Sequence, residues 1–288
     1  MKAVFIVFSP SGHTLIAARK FMSLLEDNGI SCHMINITKN DKYLQDFTIT
    51  KTLVDDLGEH HLLIPCAPVY AGHCEQNMLR TIRALPRKKE KQIPAIPLVT
   101  YGGVHSSVAL EEMGKVLNDK GYIPIMGIKI AAEHTLTSTF KKRINPNLPG
   151  TVEDQILAEA AEIAEKVVND KIAMVNVEKK LAYAPFMKRI MFRIFSQEKI
   201  HGKYKKVAIN TEKCIGCKRC VSACPVNMFA YIDNTIQMVR DPKHCILCAE
   251  CYHQCPAKAV VHPYIEVARK RLSNGFAKLE NPQSEIYR

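Results

Sequence analysis

The chain has 288 residues, 47% of them hydrophobic, and a formal charge of +12. That length accommodates two or three domains with an ordinary buried core, and no apolar run reaches transmembrane length. The basic excess alone would suit nucleic acid, but no stripe of interleaved aromatic and basic residues accompanies it, so nucleic acid is not an expected partner. The short apolar run Ala3 to Phe8 meets Ser9-Pro10 too soon for the core of a signal peptide, so a cytoplasmic protein with reduced thiols is expected.

Lys2 to Phe8 reads KAVFIVF, a nearly continuous apolar run that suits a strand buried on both faces of a parallel sheet. The turn SPSGHT, Ser9 to Thr14, follows. Leu15 to Asn28 then carries Leu15, Ala18, Met22 and Leu25 at helical spacing and stops at Gly29. Ser31 to Ile37 is the second strand, and a helix is expected around Lys42 to Leu57. His61 to Ala67 is the third strand, closed by PVYAGHC, and Glu75 to Ala84 is helical. Ala95 to Thr100 is the fourth strand, closed by YGGVHSS, with a helix over Val108 to Asp119. Tyr122 to Ile130 is the fifth strand, and Val152 to Asn169 a closing amphipathic helix. This alternation over residues 1–175 argues for a doubly wound α/β parallel sheet. Gly12, Gly72, Gly102 and Gly103 fall just beyond the carboxyl ends of strands one, three and four, where such sheets bind ligands.

Residues 176–203 read as a basic amphipathic linker, with nine Lys or Arg against two Glu between 178 and 206. Phe186, Ile190, Met191, Ile194 and Phe195 make an apolar stripe at helical spacing, opposite Lys188, Arg189 and Arg193. A connector packing that stripe on one of the domains is the favoured reading, ahead of a membrane-surface or partner-docking helix.

Eight of the eleven cysteines lie between residues 214 and 255. Cys214, Cys217, Cys220 and Cys224 form C-x2-C-x2-C-x3-C with Pro225 behind. Cys245, Cys248, Cys251 and Cys255 repeat the pattern with Pro256 behind, every cysteine displaced by 31 residues. Two-residue gaps let a curling backbone aim three soft thiolates at three corners of one iron-sulfur cube, while the fourth thiolate crosses to the other cube. The spacing thus assigns one 4Fe-4S cluster to Cys214, Cys217, Cys220 and Cys255, and a second to Cys245, Cys248, Cys251 and Cys224. Zinc sites usually pair two C-x-x-C knuckles or add histidine, and disulfide frameworks suit small secreted chains, so neither matches. Tyr204 to Ile209, Met228 to Val239 and Ala259 to His262 supply short strands around the clusters, with a hairpin turn at Asp233-Asn234. The cluster domain is placed at 204–265, and residues 266–288, with Arg269 and Arg271, look like a solvated tail.

Ser9 to Thr14 lacks the Lys of a nucleotide triphosphate loop and is not G-x-G-x-x-G; its neutral hydroxyls and amides suit a phosphate monoester. The SPSGHT turn resembles the phosphate loop of flavodoxins, with His13 where many relatives have Asn, and PVYAG and TYGG resemble the loops that clasp the flavin. The whole chain resembles flavodoxin-ferredoxin fusion proteins of anaerobic bacteria and archaea. The resemblance implies a five-stranded sheet of order 2-1-3-4-5 followed by a small α+β two-cluster ferredoxin domain. It further implies FMN, its phosphate held by Ser9, Ser11, Gly12, His13 and Thr14. Pro68, Val69, Tyr70, Ala71 and Gly72 would flank one side of the ring, and Thr100, Tyr101, Gly102 and Gly103 the other. Tyr70 or Tyr101 is the candidate for stacking, each being as well explained as a half-buried loop residue.

Eight thiolates around two oxidised cubes and a flavin phosphate would lower the charge to roughly +6, still suited to an acidic redox partner protein. A cube passes single electrons and a flavin one or two. The expected function is low-potential electron transfer between the clusters, FMN and a partner enzyme. The rivals are an FMN-dependent oxidoreductase acting on a quinone, nitro compound or oxygen, with the clusters as electron entry, and a redox sensor. Ser11 and His13 lie outside any G-x-S-x-G elbow, and no acid-base constellation stands out, so no catalytic residue is assigned. Cys66 and Cys74 read as packing thiols, and His60, His61, His73 and His105 lack ligand spacing.

Overall fold

The computed structural model describes residues 1–44, 49–88, 92–103, 105–133, 151–195, 197, 199, 207–265, 267 and 283–288. The basic run at Arg269 to Arg271 and the start of the strand expected at Tyr204 lie outside the described residues.

Strand β1 (Lys2–Val7) is the axis of the sheet, and Ala3 to Phe8 are fully enclosed, as an uninterrupted apolar strand covered on both faces must be. It pairs in parallel with β2 (Ser31–Asn36) on one side and β3 (Leu62–Tyr70) on the other. The fourth and fifth expected strands are each broken in two. Ile96-Pro97 separates β5 (Ile93–Ala95) from β6 (Leu98–Tyr101), and Ile125-Met126 separates β7 (Tyr122–Pro124) from β8 (Gly127–Ala131). Pro97 and Pro124 have no N–H to give a ladder. The Ile96 N–H still reaches the Leu63 carbonyl at 2.9 Å and the Ile125 N–H that of Ala95 at 3.0 Å, so each pair continues as one interrupted strand. The order 2-1-3-4-5 of a flavodoxin-like sheet is kept, with the switch point between β1 and β3.

One face of the sheet is covered by α1 (His13–Asp27) and α6 (Val152–Val168), where Ala17, Ala18, Ala160, Ala161 and Ala164 share one enclosed apolar cluster. Small side chains let these two helices approach closely. The other face carries α2 (Asp41–Leu44), α3 (Ile49–Leu57), α4 (Gln76–Ala84) and α5 (Ala109–Asp119). Its core continues without a break into Val226, Met228, Ile246 and Leu247 of the cysteine-rich segment. A two-residue strand β4 (His73–Cys74) folds back on the end of β3.

The linker is docked, and its expected packing is reversed. Leu181, in a 3-10 turn over Glu178–Leu181, is fully buried. Helix α7 (Phe186–Ile194) buries Phe192, which was not part of the expected stripe, while Phe186, Met191, Ile194 and Phe195 are exposed. The Arg189 guanidinium clasps both oxygens of Glu111 at 2.6 and 2.8 Å, and that bidentate pair holds the Arg189 side of the helix against the α/β domain.

In the cysteine-rich segment β9 (Ala208–Ile209) pairs with β12 (Val260–Val261), and β10 (Phe229–Ile232) with β11 (Thr235–Met238), both antiparallel. The hairpin turns at Asp233-Asn234, both left-handed as a tight I′ turn requires. Short helices α8 (Arg219–Ala223) and α9 (Glu250–His253) carry cysteines.

The solvated-tail reading is corrected at the last residues. Strand β13 (Glu285–Tyr287) adds antiparallel to β8, capping the sheet edge. Its pattern is only three residues long, too short to read as a strand. Buried Lys129 lies 5.4 to 5.7 Å from the ring centres of Tyr101, Tyr183 and Tyr287 and 3.1 Å from Glu285. Tyr287 stacks on Tyr183 at 4.4 Å. Tyr287→Ala removes one stacked ring and one cation-π contact, an expected loss of about 1–2 kcal/mol in chemical denaturation; an unchanged midpoint would show the edge strand to be loosely held.

Candidate functional site

The turn after β1 is built to receive an anion. The Ser9 N–H donates to Thr38 Oγ1 at 2.8 Å, and Ser9 Oγ accepts from the Leu15 N–H at 2.9 Å. Gly12 stands at φ +88° immediately before α1, a conformation that costs glycine no Cβ clash. Ser11 Oγ lies 3.1 Å from His13 Nδ1. The 15-residue helix behind the loop presents its positive end there. Burial pushes the His13 imidazole down against the opposing charge of Glu133, favouring a neutral ring. Thr14 Oγ1 is 2.7 Å from Thr100 Oγ1, which joins the start of α1 to the end of β6.

The loop after β3 turns sharply, with Ala71 at φ +51° and Gly72 at φ +82°. Gly72 has no room for a Cβ, which would meet the Phe192 ring at 2.6 Å and His105 at 3.1 Å. Pro68, Val69 and Tyr70 are half-buried. Burial and the nearby Cys248, Glu75 and Glu250 hold the Tyr70 phenol well above its ordinary value, placing Tyr70 beside the cysteine-rich segment. At the end of β6 Thr100 is buried, and in the loop beyond it Gly102 is half-buried and Gly103 buried. The Tyr101 hydroxyl donates to the Gln283 carbonyl at 2.7 Å and accepts from the Gln283 N–H at 2.9 Å. Those bonds hold the side chain toward the C-terminal strand.

Next to Gly72, His73 donates from both ring nitrogens, Nδ1–H to Glu112 at 2.8 Å and Nε2–H to the Phe195 carbonyl at 2.8 Å. Burial alone would depress the imidazole, but the Glu112 hydrogen bond and charge, with the carbonyl, outweigh it and hold the pKa above 6.5. The protonated ring therefore contributes its full stabilisation below pH 6.5 and loses it as pH rises through the raised value. The midpoint difference between wild type and His73→Gln is expected to be largest in acid and to shrink on raising pH. A difference that stays constant would rule out the imidazolium.

The eight cysteines repeat in conformation as well as in sequence. Gly216 and Leu247, Lys218 and Ala249, and Asn227 and Lys258 are three left-handed pairs, each separated by the same 31 residues as the cysteines. The Met228 N–H donates to Cys224 Sγ at 3.3 Å, and the Ala259 N–H to Cys255 Sγ at 3.2 Å, the same contact in each repeat. Hydrogen bonds to sulfur are one lever on cluster potential. Cys214, Cys217, Cys220 and Cys255 line one recess with Ile215 and Ile236. Burial raises the Cys220 thiol, and Cys214 and Cys255 push it the same way. Burial raises Cys245 to about 11, and Cys224 pushes it the same way, while Cys248 is raised by burial, then by Cys251 and Cys224. Cys224 thus sits among the thiols of the second run and Cys255 among those of the first. Among the described residues no three metal-ligating side chains converge on a single-ion site.

The two halves meet at the anion loop. The Lys39 N–H donates to the Pro225 carbonyl at 2.7 Å, and its ammonium to the carbonyls of Val221 and Ser222 at 3.1 and 2.6 Å. Arg240 bridges the carbonyls of Val226 and Leu44 at 2.8 and 3.0 Å. A cavity of about 470 Å³ lies between them, with Ser11, Thr38 and Lys39 on one wall and Cys224 and Glu250 on the other. That size falls within the range of small-molecule sites. Burial raises the Glu250 carboxyl to about 7. Thr38, Lys39 and Phe192 escaped sequence reasoning because they are single residues outside any motif; the basic run around Phe192 was the only signal.

Residues 213–259 match the family described as the 4Fe-4S dicluster domain. An uncharacterized ferredoxin of Methanocaldococcus jannaschii is 28% identical over 67 residues, which cover 23% of this chain and 87% of that protein. The rubredoxin oxygen:oxidoreductase of Desulfovibrio gigas superposes over 60% of this chain and 37% of its own, at 13% identity and a TM-score of 0.43. Oxidised flavodoxin 1 of Bacillus cereus superposes over 60% of this chain and all of its own, at 13% identity and a TM-score of 0.41. The chain thus joins an α/β domain whose own hydrogen bonds give the strand order 2-1-3-4-5 to a cysteine-rich segment that matches the 4Fe-4S dicluster domain over residues 213–259.

Proposed function

We propose that the protein is a low-potential electron carrier that links a partner redox protein, two 4Fe-4S clusters and an FMN in one path. The observation that carries this reading is the shared cavity: Ser11 of the anion loop and Cys224 of the cysteine repeat line the same space. The anion loop, whose Ser11 lines that cavity, and the loop after β3 suit FMN. A neutral, hydroxyl-rich loop at a helix start fits a phosphate monoester, and Tyr70 offers a half-buried ring next to Cys248. Bound FMN would supply exchange between one- and two-electron chemistry. Ser9, Ser11, Gly12, His13 and Thr14 would hold its phosphate, the loops 68–72 and 100–103 its ring.

The thiolates divide by crossover, Cys214, Cys217, Cys220 and Cys255 for the outer cluster and Cys224, Cys245, Cys248 and Cys251 for the inner. The inner set contributes the buried Cys248 and Cys251 and the cavity wall at Cys224. The outer set includes the exposed Cys217, beside Ile215 at 69% exposure. Lys213, Lys218 and Lys258 are exposed around it, a basic rim on an apolar centre that favours an acidic partner protein. Electrons would enter or leave at this face.

An anaerobic reductive titration of the reconstituted protein separates carrier from oxidoreductase. The expected result is that NADH and NADPH leave the flavin oxidised, whereas a reduced ferredoxin or a strong chemical reductant bleaches it. Rapid bleaching by a nicotinamide alone would make the protein an oxidoreductase.

A further inference from the structure

Helix α7 carries its largest apolar side chains in solvent. Phe186 is 68% exposed, Met187 74%, Met191 44% and Ile194 55%. At about 100° per residue these four span one side of the helix, within an arc of roughly 140°. The opposite side is locked to the protein. Phe192 packs on Gly72 and, at 5.5 and 5.3 Å between ring centres, on His73 and His105. Arg189 is clasped by Glu111. The helix is therefore not free to roll its apolar side inward. Lys188, exposed, and Arg193, with 65% of its side chain exposed though within 3.1 Å of Glu111, border the apolar side on its two edges. Exposed Lys179 and Lys180 precede the helix.

We propose that α7 is a docking element for an anionic membrane surface, lying in the bilayer plane with Phe186, Met187, Met191 and Ile194 inserted and the flanking cations at the headgroups. An apolar side bordered by Lys and Arg is the composition of an interfacial helix, and Lys and Arg stems reach to headgroups from such edges. Charge complementarity favours this occupant, since the loaded protein is still basic, at roughly +6. A protein partner or a second copy is less suited: four side chains on one nine-residue ridge fall well short of the roughly 800 Å² that each side of a stable protein interface buries. Insertion into headgroups requires only such a ridge. Among the described residues no helix is long and apolar enough to cross a membrane, so this contact would be peripheral. It stands independently of FMN binding, because α7 and its exposed side do not depend on the cavity's occupant.

The test is flotation of the full-length cluster-loaded protein with vesicles of phosphatidylcholine alone or mixed with phosphatidylglycerol, against the variant M187E/I194E. Both side chains are mostly exposed, so the variant is expected to keep the wild-type visible spectrum and thermal midpoint. Expected is co-flotation with the anionic vesicles, weakened by salt and reduced about tenfold or more in the variant. A wild type that stays off anionic vesicles at low salt would overturn the proposal, as would equal binding by the variant. A concentration-dependent dimer that the variant dissolves, with no vesicle binding, would overturn it in favour of self-association. Lys188→Glu, which leaves the apolar ridge intact, is expected to weaken binding to anionic vesicles selectively.

Discussion

Cys224→Ser is expected to remove the inner cluster while leaving the outer one, although Cys224 lies in the same run as the outer ligands. Iron should fall from about eight to about four per chain. The physical ground is the crossover arrangement, in which Cys224 lies close to Cys245, Cys248 and Cys251 and raises each of them. Non-additivity exposes it. Cys224→Ser combined with Cys248→Ser should lose no more iron than either alone, whereas Cys224→Ser combined with Cys217→Ser should lose both clusters. Ligands of one cluster fail together; ligands of two fail separately. Reduction of the flavin by a one-electron donor should slow about a hundredfold or more, at or beyond the 10- to 100-fold cost of losing an outer-sphere partner. If the double variant with Cys217 instead behaves like a single one, Cys224 serves its own run and the crossover is wrong.

Leu181→Ala is expected to cause the largest loss of stability outside the cluster ligands. The side chain is fully enclosed, and two glycines make the socket. A Cβ at Gly114 would stand 2.5 Å from Leu181 Cδ1, and one at Gly127 2.5 Å from Leu181 Cδ2. Truncation removes three carbons from a close-packed site, a cost of about 2–5 kcal/mol. Gly127→Ala should cost about 1–3 kcal/mol by overpacking the same socket. The combination should recover part of each loss, since the new methyl enters the space the leucine leaves. Denaturant midpoints of the four proteins measure this. Additive losses would mean that Leu181 and Gly127 do not share the socket. Because Val177 also donates its N–H to the Pro124 carbonyl at 2.8 Å, the linker is pinned to the α/β domain before the cluster segment begins.

The alternation of apolar runs with helical periods was enough to derive the sheet, because each central strand is buried on both faces and must be apolar throughout. The cluster segment was equally legible, since cube chemistry demands thiolates at fixed short spacing. The left-handed residues and the N–H···S bonds recur at that spacing too, but conformation does not show in a residue list when non-glycines such as Leu247 and Ala249 adopt it. Other features depended on partners distant in sequence. The apolar stripe of α7 gave the helix correctly but not its orientation, because the Arg189 to Glu111 pair and the Phe192 contact with Gly72 outweighed hydrophobic burial of the stripe. Tyr101, as well explained in the sequence by a half-buried loop residue as by ring stacking, is tied through its hydroxyl to Gln283, a partner 182 residues away. Strand β13 was illegible for the same reason: three residues carry no periodicity, and its partners, Gly127 to Lys129, lie far back in the chain.

The most direct measurement is a stopped-flow reduction of the reconstituted protein by a one-electron donor, following cluster and flavin absorbance separately at several protein concentrations. Expected are bleaching of the clusters first and then of the flavin, at a rate independent of protein concentration and lost in Cys224→Ser. A flavin rate that rises with protein or donor concentration, or that persists unchanged in Cys224→Ser, would contradict the internal path from clusters to flavin.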